Sequence, residues 1–159
     1  MGTGLAALHS VTQPHFGWPE TNRIGPLPQV NPPRERWADF WVDARLLPQL
    51  RGARDAGLIG AADVALVERV ADATPLALAP VEGHPPGLVH GDLWGGNWAA
   101  DAEGRPFLFD PAVYYGDREA DLAMTELFGG FDAEVFDPGI VLLDELTDLV
   151  DRLVLGLEQ

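Results

Sequence analysis

The sequence predicts an α+β fold, mostly helical, in which several helices surround one small β-hairpin. Two observations carry this expectation. Apolar residues recur at helical spacing in separate stretches after Arg34, after Ala61 and after Asp137. Between them, Trp98–Ala100 and Phe107–Phe109 are short apolar runs that flank the turn-rich DAEGRP, a hairpin pattern. The chain's 159 residues, 47% of them apolar, suffice for the packed core of one domain spanning residues 1–159.

The elements follow in order. Gly2–His9 predicts a short helix with Leu5, Ala6 and Leu8 on its apolar face. Ser10–Pro33 predicts one long loop, because Pro14, Pro19, Pro26, Pro28, Pro32 and Pro33 obstruct both ladders and helices. Loops of this length tend to be functional or to lie across another surface, and Phe16 and Trp18 favour lying across a surface over free flexibility. From Arg34 a helix is expected with Trp37, Phe40, Trp41, Ala44 and Leu47 on one face, kinked or ended by Pro48. Such an aromatic stripe is core far more often than a cofactor box. A second helix fits Ala61–Ala73, with Leu66, Val67, Val70 and Ala71 in register, and Thr74–Pro86 reads as loop. Leu88-Val89 is a buried-strand signal. Asp117 predicts the cap of a helix running to Phe128, terminated by Gly129-Gly130. Asp137-Pro138 opens a last amphipathic helix to about Leu157.

Composition narrows the chemistry. All ten basic residues are arginine, against 25 Asp and Glu, for a net charge of −15. The missing lysine excludes a Schiff-base enzyme, a P-loop NTPase and a self-sufficient protein kinase. So acidic a chain is repelled by phosphate backbones and anionic lipid, so neither nucleic acid nor a membrane is an expected partner. Cysteine is absent, which removes disulfides, thiol nucleophiles and zinc–thiolate sites. His9 and His15 have no third ligand at fitting spacing. With no apolar run of spanning length and no signal-peptide pattern in MGTGLAALHS, a cytoplasmic location is expected.

The hairpin carries the central inference. If Ala100 pairs with Phe107, the register runs on through Ala99 with Leu108 and Trp98 with Phe109 to Asn97 with Asp110. Residues directly opposite have Cβ atoms about 4.5–5.5 Å apart, so an amide oxygen and a carboxylate would face one point. Hard oxygen ligands of this kind suit Mg²⁺, which also takes phosphate oxygens. Asp92, five residues before Asn97, stands on the loop leaving Leu88-Val89. A carboxylate there is suited to accept the proton of an alcohol attacking a phosphoryl group. Each residue alone has an ordinary reading, as a loop polar group, a turn former or a strand exit; their combination is what points to phosphotransfer.

His90-Gly91-Asp92 followed by Asn97 resembles the catalytic loop of the protein-kinase-like fold, with glycine replacing the arginine of H-R-D. Aminoglycoside phosphotransferases and choline kinases have related spellings. LVHGDLWGGNW, FDPAVYYGDREADLAMTELFGGF, FGWPETNRIGPLPQVN and RWADFWVDARLLPQL together resemble the fructosamine kinase (ketosamine kinase) family, from Gly2 to about Phe131. The resemblance implies the C-terminal lobe of that fold, Asp92 as catalytic base, Asn97 and Asp110 as Mg²⁺ ligands, and His90 and Asp121 as supports of the loop. It also implies ATP as co-substrate and a ketosamine, free or on a glycated protein, as acceptor. Nothing in the chain corresponds to the family's ATP-covering N-terminal lobe or its lysine, so the chain alone is expected to be incomplete. A separate N-lobe chain or self-association is the expected remedy. Two alternatives stay open: a non-catalytic remnant that binds Mg²⁺-phosphate or sugar with a partner, and hydrolysis with Asp92 activating water.

Overall fold

The aromatic stripe after Arg34 becomes the centre of the core in the computed structural model, which describes residues 1–131. The helix expected from Asp137 lies outside the described residues. Trp37, Phe40 and Ala44 are buried together with Phe16, Val89 and Tyr114. Phe40 stacks on Tyr114 at 5.5 Å, and the Arg45 guanidinium lies 4.1 Å from the Tyr114 ring centre and 4.6 Å from that of Phe40. Burial pushes the Tyr114 phenol up to about 12, even though the Arg45 charge opposes the shift.

The elements are α1 (Gly2–His9), β1 (Asn22–Ile24), β2 (Leu27–Gln29), α2 (Trp37–Trp41), α3 (Leu47–Asp55), α4 (Ala61–Ala77), β3 (Gly87–Val89), β4 (Trp98–Ala100), β5 (Pro106–Leu108), β6 (Tyr114–Gly116) and α5 (Glu119–Phe128). Among the described residues the strands pair as three two-stranded antiparallel sheets: β1 with β2, β3 with β6, and β4 with β5. Mixed helix and small antiparallel sheets is the α+β class that the sequence predicts.

Several expectations are corrected. The loop Ser10–Pro33 contains the β1–β2 hairpin, turning at Gly25-Pro26. Gly25 supplies the positive φ (52°) that a two-residue hairpin turn needs, and Pro28 is tolerated because a two-stranded sheet is all edge. Phe16 and Gly17 make isolated bridges to Arg34 and Tyr115, so this segment does lie across another surface. Pro48 does not end the helix expected from Arg34. One π-helical turn, Val42–Leu46, separates α2 from α3, and the Leu47 amide reaches back to the Val42 carbonyl. Pro48 thereby falls in the first turn of α3, where its missing N–H costs little. Helix α4 runs four residues past Ala73, with Pro75 in its last turn. The strand Tyr114–Gly116, which closes over Leu88-Val89, was not anticipated.

The hairpin register is one residue earlier than predicted. Asp101 Oδ1 accepts the amides of Glu103 (3.1 Å) and Arg105 (2.8 Å), and the Asp101 amide bonds the Arg105 carbonyl at 3.0 Å. This closes a three-residue loop with Gly104 at φ 77°. Ala100 therefore pairs with Pro106, Ala99 with Phe107 and Trp98 with Leu108. Asn97 faces Phe109, whose amide donates to its carbonyl at 3.1 Å, and Asp110 falls beyond the ladder. Because side chains alternate faces, a one-residue slip removes the cross-strand argument for Asn97 with Asp110.

Two predictions follow from this packing. Phe40→Ala should cost about 3–5 kcal/mol of unfolding free energy in a denaturant titration, whereas Leu58→Ala, at a side chain 77% exposed, should stay within about 0.5 kcal/mol. At the start of α5, burial first and the Asp117 carboxylate second push the Glu119 carboxyl up. A raised acid is favoured at low pH, and its contribution is lost as pH rises through the folded value. In chelator-treated buffer Glu119→Gln should therefore raise Tm at neutral pH, and the gain should shrink as pH falls through the ordinary glutamate range.

Candidate active site

Loop 90–97 is pinned from below by a carboxylate that has no exposure to solvent. Asp121, on the first turn of α5, is 0% exposed. Its Oδ2 accepts the His90 amide at 2.8 Å and its Oδ1 the Gly91 amide at 2.9 Å. A third donor, His9 Nε2 at the end of α1, reaches Oδ2 at 2.9 Å. A buried charge needs such donors, and backbone amides donating to an ionised acceptor make stronger bonds than neutral pairs do. The sequence offers His9 as a helix end and as half of a metal pair with His15. Its place against Asp121 is the contact that sequence reasoning missed, and spacing gives no sign of it, since the two residues are 112 apart.

His90 then ties three segments together. Its carbonyl accepts the Ala112 amide at 2.9 Å. Its ring Nε2 lies 3.0 Å from the Phe109 carbonyl, and its Nδ1 lies 3.3 Å from the Asp92 amide. A carbonyl can only accept and an amide only donate, so Nε2 carries the ring proton and Nδ1 the lone pair. Asp110 is therefore bracketed by two residues, Phe109 and Ala112, that both bond to His90. Asp110 itself has φ 54°, uncommon outside glycine. Gly91 has φ 79°, and a Cβ there would come within 2.2 Å of the Ala112 carbonyl oxygen, so only glycine fits between the loop and this segment. The segment is supported from its other side: Gln29 and Asn22 donate to the carbonyls of Ala112 (3.0 Å) and Val113 (2.7 Å).

Asn97 is buried and spends its amide nitrogen on Asp92, donating to the main-chain oxygen at 2.8 Å and to Oδ2 at 3.0 Å. Those donations fix which way the amide faces and leave Oδ1 as a pure acceptor. Among the described residues, Asn97 Oδ1, Asp92 Oδ1 and the Asp110 carboxylate take no hydrogen bond. This all-oxygen donor set fits Mg²⁺, which binds through one or two carboxylates plus phosphates and water. Beside it, between α1 and the β4–β5 hairpin, lies a mostly apolar cleft of about 620 Å³, lined in part by Leu5, Leu8, His90, Phe107 and Pro111. The exposed rings of Trp94, Phe107 and Phe109 add apolar surface. Among the described residues no helix is long and apolar enough to cross a membrane.

The fructosamine kinase family model matches residues 1–139. A "Probable ketoamine kinase" of Synechocystis is 46% identical over 137 residues, covering 86% of this chain and 45% of that protein. One from Enterococcus faecium is 40% identical over 139 residues, covering 86% and 49%. A crystal structure of a "putative fructosamine-3-kinase" from Thermobifida fusca superposes with TM-score 0.74 at 38% identity, over 96% of this chain and 49% of that one. The chain spans about half the length of the curated relatives it matches.

Replacing Asp121 by Asn puts an amide donor among three donors. The variant should lose about 2–3 kcal/mol of stability, and hydrogen exchange should show the His90 and Gly91 amides losing protection first. Retained protection at both would contradict the brace.

Proposed function

The chain belongs to the fructosamine kinase family, and on that premise we propose that it supplies the catalytic-loop half of an ATP- and Mg²⁺-dependent kinase acting on the sugar hydroxyl of ketosamines. What supports the reading is that Asn97 Oδ1, Asp92 Oδ1 and the Asp110 carboxylate take no hydrogen bond among the described residues, while Asp121 holds the loop and His90 ties the Asp110 segment to it. In this reading the attacking hydroxyl oxygen forms a bond to the γ-phosphorus of ATP while its proton passes to Asp92. The bond from that phosphorus to the bridging oxygen breaks, and ADP leaves. Asn97, by donating to Asp92 Oδ2, orients the base. Asn97 Oδ1 and Asp110 would hold Mg²⁺, which when bound neutralises phosphate charge. His90 and Asp121 act at one remove, by keeping the loop and the Asp110 segment in register.

The 159 residues hold no lysine, whereas kinases of this type use an ammonium on the phosphates as well as the metal. The proposal therefore assigns that cation, and the cover over ATP, to residues outside this sequence, in an N-lobe segment or chain. Residues 1–159 form the single C-terminal lobe, and the cytoplasm, where ATP is available, is the compartment. The competing reading, a binding remnant without turnover, is favoured by the same missing lysine; the intact Asp92 speaks against it, since a pure binder has no use for a base.

The test is nucleotide binding and phosphoryl transfer to a small fructosylated amine. Asp110→Asn should weaken Mg²⁺-dependent nucleotide binding at least tenfold. Asp92→Asn should leave binding within about threefold while transfer falls by about 10²–10⁴, the usual worth of general-base catalysis. Binding with no transfer, even when a lysine-bearing N-lobe is supplied, would select the remnant. Phosphate released without sugar would select hydrolysis.

A further inference from the structure

A second cluster of potential ligands lies at the start of α5, made of residues other than Asp92, Asn97 and Asp110. His84, in the loop before β3, meets Asp117 and Glu119 at the start of α5. A ring nitrogen of His84 and one carboxylate oxygen from each acid lie within 4.8 Å of one another, and His84 Nδ1 is 3.0 Å from Asp117 Oδ2. Asp117 is 0% exposed and Glu119 9%.

Proximity alone would be a helix cap with a neighbouring histidine. Asp117 Oδ1 does accept the Glu119 amide, at 2.9 Å. What a cap leaves unexplained is Glu119. Its Oε1 is buried and accepts no hydrogen bond. The nearest cation, Arg118 Nε at 3.6 Å, stands beyond hydrogen-bond range on a half-exposed side chain. A carboxylate withdrawn from water without donors is costly, and a second buried carboxylate beside it adds repulsion. One imidazole cannot balance both charges.

We propose that His84, Asp117 and Glu119 bind one divalent transition-metal ion. One nitrogen and two carboxylate oxygens is a donor set for zinc-type rather than magnesium-type ions, which take oxygen alone. Ligand atoms around a four-coordinate zinc stand about 3.3 Å apart, a spacing that His84 and Asp117 already approach. The His84 side chain is 30% exposed, which gives an ion and a completing water access. The ion would join the loop that enters β3, the strand that His90 follows, to the start of α5, whose first turn carries Asp121. Its binding does not depend on the kinase reading.

The experiment is calorimetry of Zn²⁺ into chelator-stripped protein, together with thermal unfolding. One equivalent should bind, and His84→Ala and Glu119→Gln should each weaken it at least tenfold. Asp110→Asn and His15→Ala should leave it within about twofold. Saturating Zn²⁺ should raise Tm in the parent and not in the two cluster variants; His84→Ala, at a partly exposed ring, tests the site independently of the Glu119 substitution. No binding at millimolar Zn²⁺, or binding lost with Asp110 or His15 and kept without His84, would overturn the proposal.

Discussion

Everything in the candidate site depends on one interaction, the buried Asp121 carboxylate accepting the two consecutive backbone amides of His90 and Gly91. Those amides belong to a loop with no ladder to satisfy them. Unpaired backbone donors away from water are expensive, and a charged acceptor is the strongest available remedy. The carboxylate in turn is affordable inside the protein only because it has these donors and His9 as a third. Helix α1, helix α5 and the loop are thus mutually required: α5 presents the acid, α1 completes its shell, and the loop receives a fixed geometry.

From that anchor the geometry spreads through His90 rather than through the hairpin. The observed pairing of Trp98 with Leu108 leaves Asp110 outside the β4–β5 ladder. What holds Asp110 near the loop is the pair of bonds from His90 to Phe109 and Ala112 on either side of it. A hairpin would have fixed two side chains across a strand pair. The histidine instead fixes a short irregular segment, which allows Asp110 its left-handed backbone. A polar hub thus ties the Asp110 segment to the loop that ends at Asn97, and Phe40, Tyr114 and Trp37 belong to the buried aromatic core.

Much of this was legible in the sequence, and what was not has identifiable causes. The helical period of residues 37–44 gave the core face because large aromatic side chains at that spacing have nowhere else to go. Asp92, Asn97 and Asp110 stood out through the loop spacing and the hairpin pattern, and the resemblance to the fructosamine kinase family added His90 and Asp121. The register failed because it was read from apolar residues, whereas Asp101's grip on the Glu103 and Arg105 amides decides where the turn closes. The β1–β2 hairpin was hidden by prolines that an edge strand tolerates. His9 was invisible because its partner is distant in sequence, and Gln29 lay inside a stretch read only as loop.

The chain belongs to the fructosamine kinase family and spans about half the length of the curated relatives it matches, so the proposal concerns a half-site, with Asn97 and Asp110 as its proposed metal–phosphate side. A crystal structure with Mg²⁺ and a non-hydrolysable ATP analogue tests this most directly. The account predicts Mg²⁺ about 2.1 Å from Asn97 Oδ1 and an Asp110 oxygen, bridged to phosphate, with Asp92 facing the γ-phosphorus from the open side. Metal and phosphates bound elsewhere, with Asn97 Oδ1 and Asp110 untouched, would contradict it.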